Sequence, residues 1–500
     1  MIGKILRNAG SNYANMAVAM VTAFIMSPFF VHRLGDFYYG VWTLAMSFCG
    51  YFSLLDLGMN RAIVRYVSQY EATGDHEQLN RFFNTTLVLF SWLGVVAALA
   101  SCLLAFWLDA FFALNGHASF CKLVVLIAGL NFAFTFPFSV PYAVLIARLE
   151  HTTANRINIT NTVMRNICIY LVLSASPNLL WLVLVQVFFD IGKNLRVYLV
   201  VKKNCPHIVY HPRYFTKALI PDIFGYSVHS FVVSFSSRII NFTDEIVVGS
   251  FLRVADVTYY SIATNLVTYF EKIVWSGSSV FVPYISQLDA RGEGEQVRES
   301  FLVGSKFTLL FTLYLFCGII LLGGDFIGVW MGKGYGETVR PILVTLALAK
   351  VLSLGQSMAV ARFFGTSRHQ LLSKLNFAEA ALNLVLSLVL VRRFGMIGVA
   401  WGTLIPACLC NGCLLPLIIV KEFKIGFSEY FFKSLAAPVA VSAVVVSVFQ
   451  GLGLRAASYP MLVVLWLAVT LLYSLLSLLL VFNGAERSYL LSKIGVSHES

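Results

Sequence analysis

The chain is built from long apolar runs separated by short polar breaks. A helix needs about 20 apolar residues to cross the hydrocarbon of a bilayer. Runs of that kind lie near 13–31, 38–58, 84–108, 120–146, 159–175 and 179–201. A polar stretch, KKNCPHIVYHPRYFTK, occupies 202–217. Further runs lie near 222–250, 258–280, 305–330, 338–362, 376–391, 397–420, 431–453 and 460–482, which makes fourteen predicted spans. A membrane β-strand would alternate at every second residue over about ten residues. These runs are continuous and longer, so they predict helices. The first follows Lys4 and Arg7 much as a signal peptide would. It is long enough to span, and no small-residue cleavage site follows it, so it reads as the first transmembrane helix.

The pattern repeats. YVSQYEATGDHEQLNRFF at 66–83 and YISQLDARGEGEQVRESF at 284–301 share eight of eighteen residues at an offset of 218. Shifting spans two to six by that offset lands on spans eight to twelve. The expected fold class is therefore an all-α integral membrane protein of about fourteen helices. Two six-helix bundles form a parallel internal repeat, and a C-terminal helix pair follows. The expected domains are 1–201, a linker at 202–217, a second bundle at 218–421, and the extra pair with a tail at 422–500. Parallel repeats of this kind occur in secondary transporters, with substrate handled between the halves.

Composition agrees. The chain is 58% hydrophobic and 12% charged, with a mean hydropathy of +0.79. An ordinary soluble chain is about 45–50% apolar and about 25% charged. Too little polar surface remains for a soluble enzyme, a disordered scaffold or a secreted disulfide module. The net charge of +12 would raise nucleic acid as a partner in a soluble protein. Here, with both termini placed in the cytoplasm, 24 Lys and Arg residues fall in inner segments, eight in outer loops and four inside spans. That bias satisfies the positive-inside rule and accounts for the charge without nucleic acid.

Ionisable groups inside a bilayer cost roughly 2.5–3.5 kcal/mol each on insertion scales, so they mark wet cavities or pairs. Arg238 lies mid-span in FSSRIINFTDEIVVG, and its fork suits phosphate oxygens. It either meets substrate or pairs with Asp244 or Glu245 nearly two turns away. Asp244 and Glu245 either bind a coupling ion or end the helix. Asp56 closes the second span in LLDLG, and Glu271 and Lys272 lie at a similar depth in the eighth. They read as a cavity lining, or, for the adjacent pair, as charges that offset each other or snorkel near a helix end. Arg165 with Asp190, and Lys350 with Glu379, are expected to pair within the first and second bundles. Lys193 and Arg196 are expected to snorkel to headgroups. Arg238, Lys272, Asp56 and Glu271 are thus the substrate-binding candidates, and Asp244 and Glu245 the coupling-ion candidates.

Other motifs add little. The nine cysteines sit mostly in apolar runs, and Cys408, Cys410 and Cys413 read as small helix residues rather than a metal site. Pro28, Pro137, Pro141, Pro283 and Pro406 lie within or at the ends of spans, where proline kinks helices. There is no phosphate-binding Walker loop, no zinc-protease signature and no hydrolase elbow. No cofactor, metal or catalytic residue is expected, and short outer loops speak against an enzyme.

The stretch PFFVHRLGDFYYGVWTLAMSFCGYFSLLDLGMNRAIVRYVSQYEATGDHEQLN resembles the N-terminal region of the polysaccharide-transport, Wzx-like oligosaccharide flippases. NFTDEIVVGSFLRVADVTYYSIATNLVTYF is similar to the family's seventh and eighth helices, and VPYISQ to the loop that follows. The family belongs to the multidrug/oligosaccharidyl-lipid/polysaccharide exporter superfamily. The resemblance implies a bacterial inner-membrane protein that moves a glycan on undecaprenyl pyrophosphate to the outer leaflet, for lipopolysaccharide or exopolysaccharide synthesis. Lipid-linked oligosaccharide and membrane lipids are the implied partners, with the polysaccharide polymerase and export machinery alongside. Arg238 and Lys272 would meet pyrophosphate or an acidic sugar; Asp56, Asp244 and Glu271 would meet hydroxyls or a coupling ion. An ion-coupled drug exporter of the same fold is the alternative, with a membrane enzyme acting on lipid-linked sugars behind it.

Overall fold

The computed structural model describes residues 2–114, 116–278, 281–365, 370–484 and 486–488; Arg368, Lys493 and the end of the expected C-terminal tail lie outside them. The described residues form helices and short connections, with no strand among them. In chain order these are α1 (Ile2–Leu34), α2 (Asp36–Phe52), α3 (Met59–Thr73), α4 (His76–Phe111), α5 (Ala118–Ala147), α6 (His151–Ala175), α7 (Leu179–Asn204), α8 (Ile220–Phe251) and α9 (Val254–Ser278). Then come α10 (Phe281–Ala290), α11 (Gly294–Trp330), α12 (Lys333–Leu354), α13 (Ser357–Gly365), α14 (Gln370–Ala407), α15 (Leu415–Phe423), α16 (Phe427–Tyr430), α17 (Ala437–Leu452) and α18 (Tyr459–Leu480). A π-helical segment, Cys408–Leu414, joins α14 to α15, and another, Phe431–Ala436, joins α16 to α17.

Most of each predicted span is helical among the described residues, though 38–58 runs past α2 into a turn and 338–362 takes in both α12 and α13. Among the described residues eight helical stretches are long and apolar enough to cross a membrane unaided, or nine if one pair bent by 47° is a single span. That pair is α2 and α3. The chain turns between them through Leu57 at φ 50° and Gly58 at φ 80°. α14 hides a second break: Gly395 has φ 62° and ψ −142°, so it carries two passes. Gly395 lies 218 residues after the turn that separates α6 from α7.

The internal repeat is geometric as well as sequential. α2 begins at Asp36 and α9 at Val254, and α4 begins at His76 and α11 at Gly294, each pair 218 apart. The turn before α4 has Gly74 at φ 71°, and the turn before α11 has Gly292 at φ 72°. Each turn closes alike: Asp75 N–H donates to the Tyr70 carbonyl and Glu293 N–H to the Leu288 carbonyl, both at 3.1 Å. A left-handed residue that ends a helix this way favours glycine, because a Cβ would crowd the backbone.

By contacts the chain forms two units, one ending at Thr258 and the other beginning at Tyr259. The first therefore includes α8, which packs on α2 and α3; the repeat places α8 with the helices that follow. In the first unit α4 lies along α5, α1 along α6, and α5 along α7. Its core is apolar and aromatic, with Phe82, Phe83, Phe90, Val140 and Val144 fully enclosed. α4 shows how a membrane helix divides its faces. Phe90, Gly94, Ala97, Ser101 and Ala105 point inward, while Trp92, Leu99, Leu103 and Phe106 are exposed. An apolar stripe on the outside suits lipid and would be costly in water. The chain is a multi-pass membrane protein.

In the second unit α11 packs on α12, and α12 on α14. α17 and α18 lie against α11. Gly318 on α11 leaves room for the Trp466 ring, which would stand 1.6 Å from any Cβ there.

The polar stretch after α7 is held rather than loose. Asn80 Nδ2 donates to the His207 carbonyl at 2.8 Å, and Asn80 Oδ1 accepts from Val209 N–H at 2.6 Å. One turn on, Asn84 Nδ2 donates to the Val209 carbonyl at 2.8 Å, and Asn84 Oδ1 accepts from His211 N–H at 2.9 Å. Thr85 Oγ1 then accepts from Thr216 N–H at 2.9 Å. Asparagine carries a donor and an acceptor side by side, so two of them at i, i+4 mimic the edge of a strand. The neighbouring Glu71 carboxylate accepts from Arg148 Nη1 and contacts His207 Nε2, each at 2.9 Å.

Candidate functional site

The first unit carries an open-sided cavity of about 940 Å³. Its walls come from α2, α3, α5, α6, α7 and α8. Aromatic and aliphatic groups such as Phe132, Phe138 and Phe242 share the lining with Asn60, Asn131, Asn158, Gln186 and Asn194. Among the described residues three charged side chains face it: Asp190, Lys193 and Arg238.

Asp190 organises one wall. Asn131 Nδ2 donates to its Oδ2 at 3.0 Å. Lys193 Nζ stands 3.7 Å from Oδ1, and Arg165 Nη1 3.9 Å. The expected Arg165–Asp190 pairing is present, though long. Lys193 departs from expectation. It turns to Asp190 and the cavity because it sits three residues on, on the same helical face. Among the described residues here, three buried atoms have no hydrogen-bond partner: Asn131 Oδ1, Asn194 Nδ2 and Arg165 Nε. None of these atoms presents surface to the cavity, so each is an unpaired polar group packed behind its wall.

Arg238 stands on α8, mid-helix. Its guanidinium lies 5.3 Å from the Phe242 ring centroid. No ion pair between Arg238 and Asp244 or Glu245 appears among the described contacts. Glu245 instead accepts from Ser47 Oγ at 2.6 Å, and Tyr51 shares a hydrogen bond with Thr243. These contacts tie α8 to α2. Asp244 is buried. Neither acid ends the helix, which continues to Phe251.

Asp56 is not among the cavity-lining groups. Its Oδ1 accepts from Gly58 N–H at 2.6 Å and its Oδ2 from Asn60 Nδ2 at 2.7 Å. It fixes the break between α2 and α3, and it aims Asn60, which does line the cavity.

Glu271 and Lys272 belong to the second unit. Glu271 pairs with Lys350 at 2.7 Å, while Lys272 is exposed. The expected Lys350–Glu379 pair is thus corrected. Lys350 reaches across to Glu271 on α9, and Glu379 Oε1 accepts from Asn411 Nδ2 at 3.0 Å. Cys408 and Cys413 are exposed and Cys410 is buried, so the three do not converge.

The arrangement holds polar, hydrogen-bonding cargo beside cationic groups. Among the described residues the lining carries two cations against one carboxylate. Sequence reasoning reached Arg238 and Asp190 and missed the amides. Gln186, Asp190 and Asn194 recur every four residues on one face of α7, and that periodicity in polar residues is the signal.

Residues 5–289 match the family model described as "Polysaccharide biosynthesis protein". The chain belongs to that family. A relative in Bacillus subtilis (strain 168), the uncharacterized membrane protein EpsK, is 20% identical over 96% of both chains. The probable low-salt glycan biosynthesis flippase Agl15 of Haloferax volcanii is 22% identical over 36% of this chain and 38% of its own length. Among solved structures, a lipid II flippase MurJ in an inward closed conformation superposes with a TM-score of 0.73 at 17% identity, over 97% of this chain and 99% of that one. An inward-facing MATE-family multidrug resistance transporter of the MOP superfamily gives 0.65 at 14% identity, over 83% and 96%. The fold of this polysaccharide biosynthesis protein is the one those transporters share.

Proposed function

We propose that this chain is a flippase. It moves an undecaprenyl-pyrophosphate-linked oligosaccharide from the cytoplasmic to the outer leaflet of a bacterial inner membrane, for surface polysaccharide synthesis. The observation that carries this reading is the polar, net-cationic cavity inside a membrane-spanning unit of a polysaccharide biosynthesis family member. Sugar hydroxyls cannot cross hydrocarbon unsatisfied. The amide side chains that line the cavity, those of Asn60, Asn131, Asn158, Gln186 and Asn194, are the kind of group that pairs with them. Arg238 and Lys193 take an anionic group, the pyrophosphate or an acidic sugar. Lys272 and Glu271 form a second contact region on the other repeat, Asp56 positions Asn60, and Asp244 and Glu245 serve ion coupling. The two repeats alternate access, with both termini cytoplasmic and two six-helix domains joined by 202–217. The chain performs no covalent chemistry and works beside the polymerase and export machinery.

The names of EpsK's membrane class, of Agl15 and of MurJ are in keeping with this reading. A drug exporter of the same fold would carry cationic cargo, which the two cations and one acid among the described lining residues disfavour.

The test is purified protein in liposomes with a fluorescent lipid-linked glycan loaded on one side. Movement of glycan between leaflets without change in its length supports the proposal. Unchanged sidedness, or a glycan lengthened or transferred, refutes it.

A further inference from the structure

Within the second unit, one lysine serves two carboxylates, Glu379 buried and Glu271 half-buried. Lys350 on α12 pairs with Glu271 on α9 at 2.7 Å and also acts electrostatically on Glu379 of α14. Glu379 is 9% exposed. The groups that face it are Lys350 and Cys410, the amide of Asn411, and, through Lys350, Glu271. Counting charges, the cluster carries one positive and two negative groups at membrane depth. An unmatched carboxylate there is costly.

A second observation points the same way. Asn383 lies one turn after Glu379, 1% exposed. Its Nδ2 donates to Thr403 Oγ1 at 2.9 Å, and its Oδ1 has no hydrogen-bond partner. An i, i+4 pair shares a helix face, so a buried orphan acceptor stands beside a carboxylate short of one positive charge. A single donor answers both deficits.

We propose that Glu379 is a proton-binding site, with Lys350 as the cation that moves between Glu271 and Glu379 as the proton comes and goes. Protonation forms one O–H bond on the Glu379 carboxylate and breaks none. The neutral acid has a hydroxyl to donate to Asn383 Oδ1, and Lys350 stays with Glu271. On release, Glu379 draws on Lys350, and the α9–α12 pairing loosens. A metal cation fits poorly, because the Lys350 ammonium and the Asn411 amide already present positive ends to Glu379. This assigns a coupling proton to the second repeat and rests on the flippase reading for its use.

Infrared difference spectroscopy on the full-length protein in nanodiscs, stepped between about pH 5 and pH 8 where buried carboxyls titrate, reads the site directly. A protonated carboxyl band is expected in the native protein, kept in Glu379→Asp and Lys350→Arg, lost in Glu379→Gln, and shifted at least about one pH unit lower in Glu271→Gln, where Lys350 is free for Glu379. A band that survives Glu379→Gln, no band at all, or the same spectral change produced by sodium at fixed pH overturns the proposal. The aspartate and arginine variants guard against a glutamine variant that merely misfolds. The band with no glycan movement in liposomes leaves this site standing and refutes the flippase; glycan movement without the band does the reverse.

Discussion

Asn84→Ala releases one rung of the ladder that holds the segment after α7. Two backbone groups lose their partner, the Val209 carbonyl and the His211 N–H, at 2.8 and 2.9 Å. Both residues are exposed, so water replaces the bonds in part. At about 1 kcal/mol net for each hydrogen bond, the single change costs about 1–2 kcal/mol. Asn80→Ala together with Asn84→Ala removes four such bonds and costs about 2–4 kcal/mol, less than additive if the first change already frees the strand. Cys205 reports the opening. It is fully buried at the foot of the segment, and burial pushes its thiol up to about 11. At neutral pH the closed form therefore holds far less thiolate than an exposed cysteine near 8.5. Maleimide labelling of a variant retaining only Cys205 then follows the open population. A 2 kcal/mol loss raises the labelling rate about 30-fold, and the gain shrinks as pH climbs and the closed form itself ionises. Rates within twofold of the parent in the double variant refute the claim that these side chains hold the segment.

Arg238→Gln should lower glycan translocation about 10- to 100-fold, the loss of one charge-assisted contact of about 1.5–3 kcal/mol, with Arg238→Lys between; initial rates in liposomes check it. Asp56→Ala should cost about 1–2 kcal/mol of stability by freeing Gly58 N–H and Asn60, while Asp56→Asn keeps most of it, read as thermal unfolding in detergent. Gly40→Ala should destabilise by about 1–3 kcal/mol or more, because its Cβ would sit 2.2 Å from the Val254 carbonyl oxygen; a melting temperature equal to the parent's would argue that the helices do not approach so closely.

Depth along the membrane normal was legible in the chain; direction around each helix was not. Runs of apolar residues place the spans, and the offset of 218 places both repeat turns to the residue. Lys350 and Glu379 were matched by depth, yet Lys350 points to α9, a choice set by rotation that spacing on one helix does not reveal. The break at Leu57–Gly58 turns what seemed a charged span end at Asp56 into a capping device. The amides of α5 and α7 went unnoticed because Asn and Gln hardly disturb an apolar run, although they line the cavity.

The matched turns at Gly74 and Gly292 give the molecule an internal duplicate. Alanine at either position meets the same left-handed backbone with open space around its Cβ, so the intrinsic penalty, about 1 kcal/mol, is shared. Any measured difference between the two variants then belongs to what each half does with its turn. The same subtraction applies at every aligned pair along the chain, so one polypeptide serves as both sample and reference for how its halves have diverged.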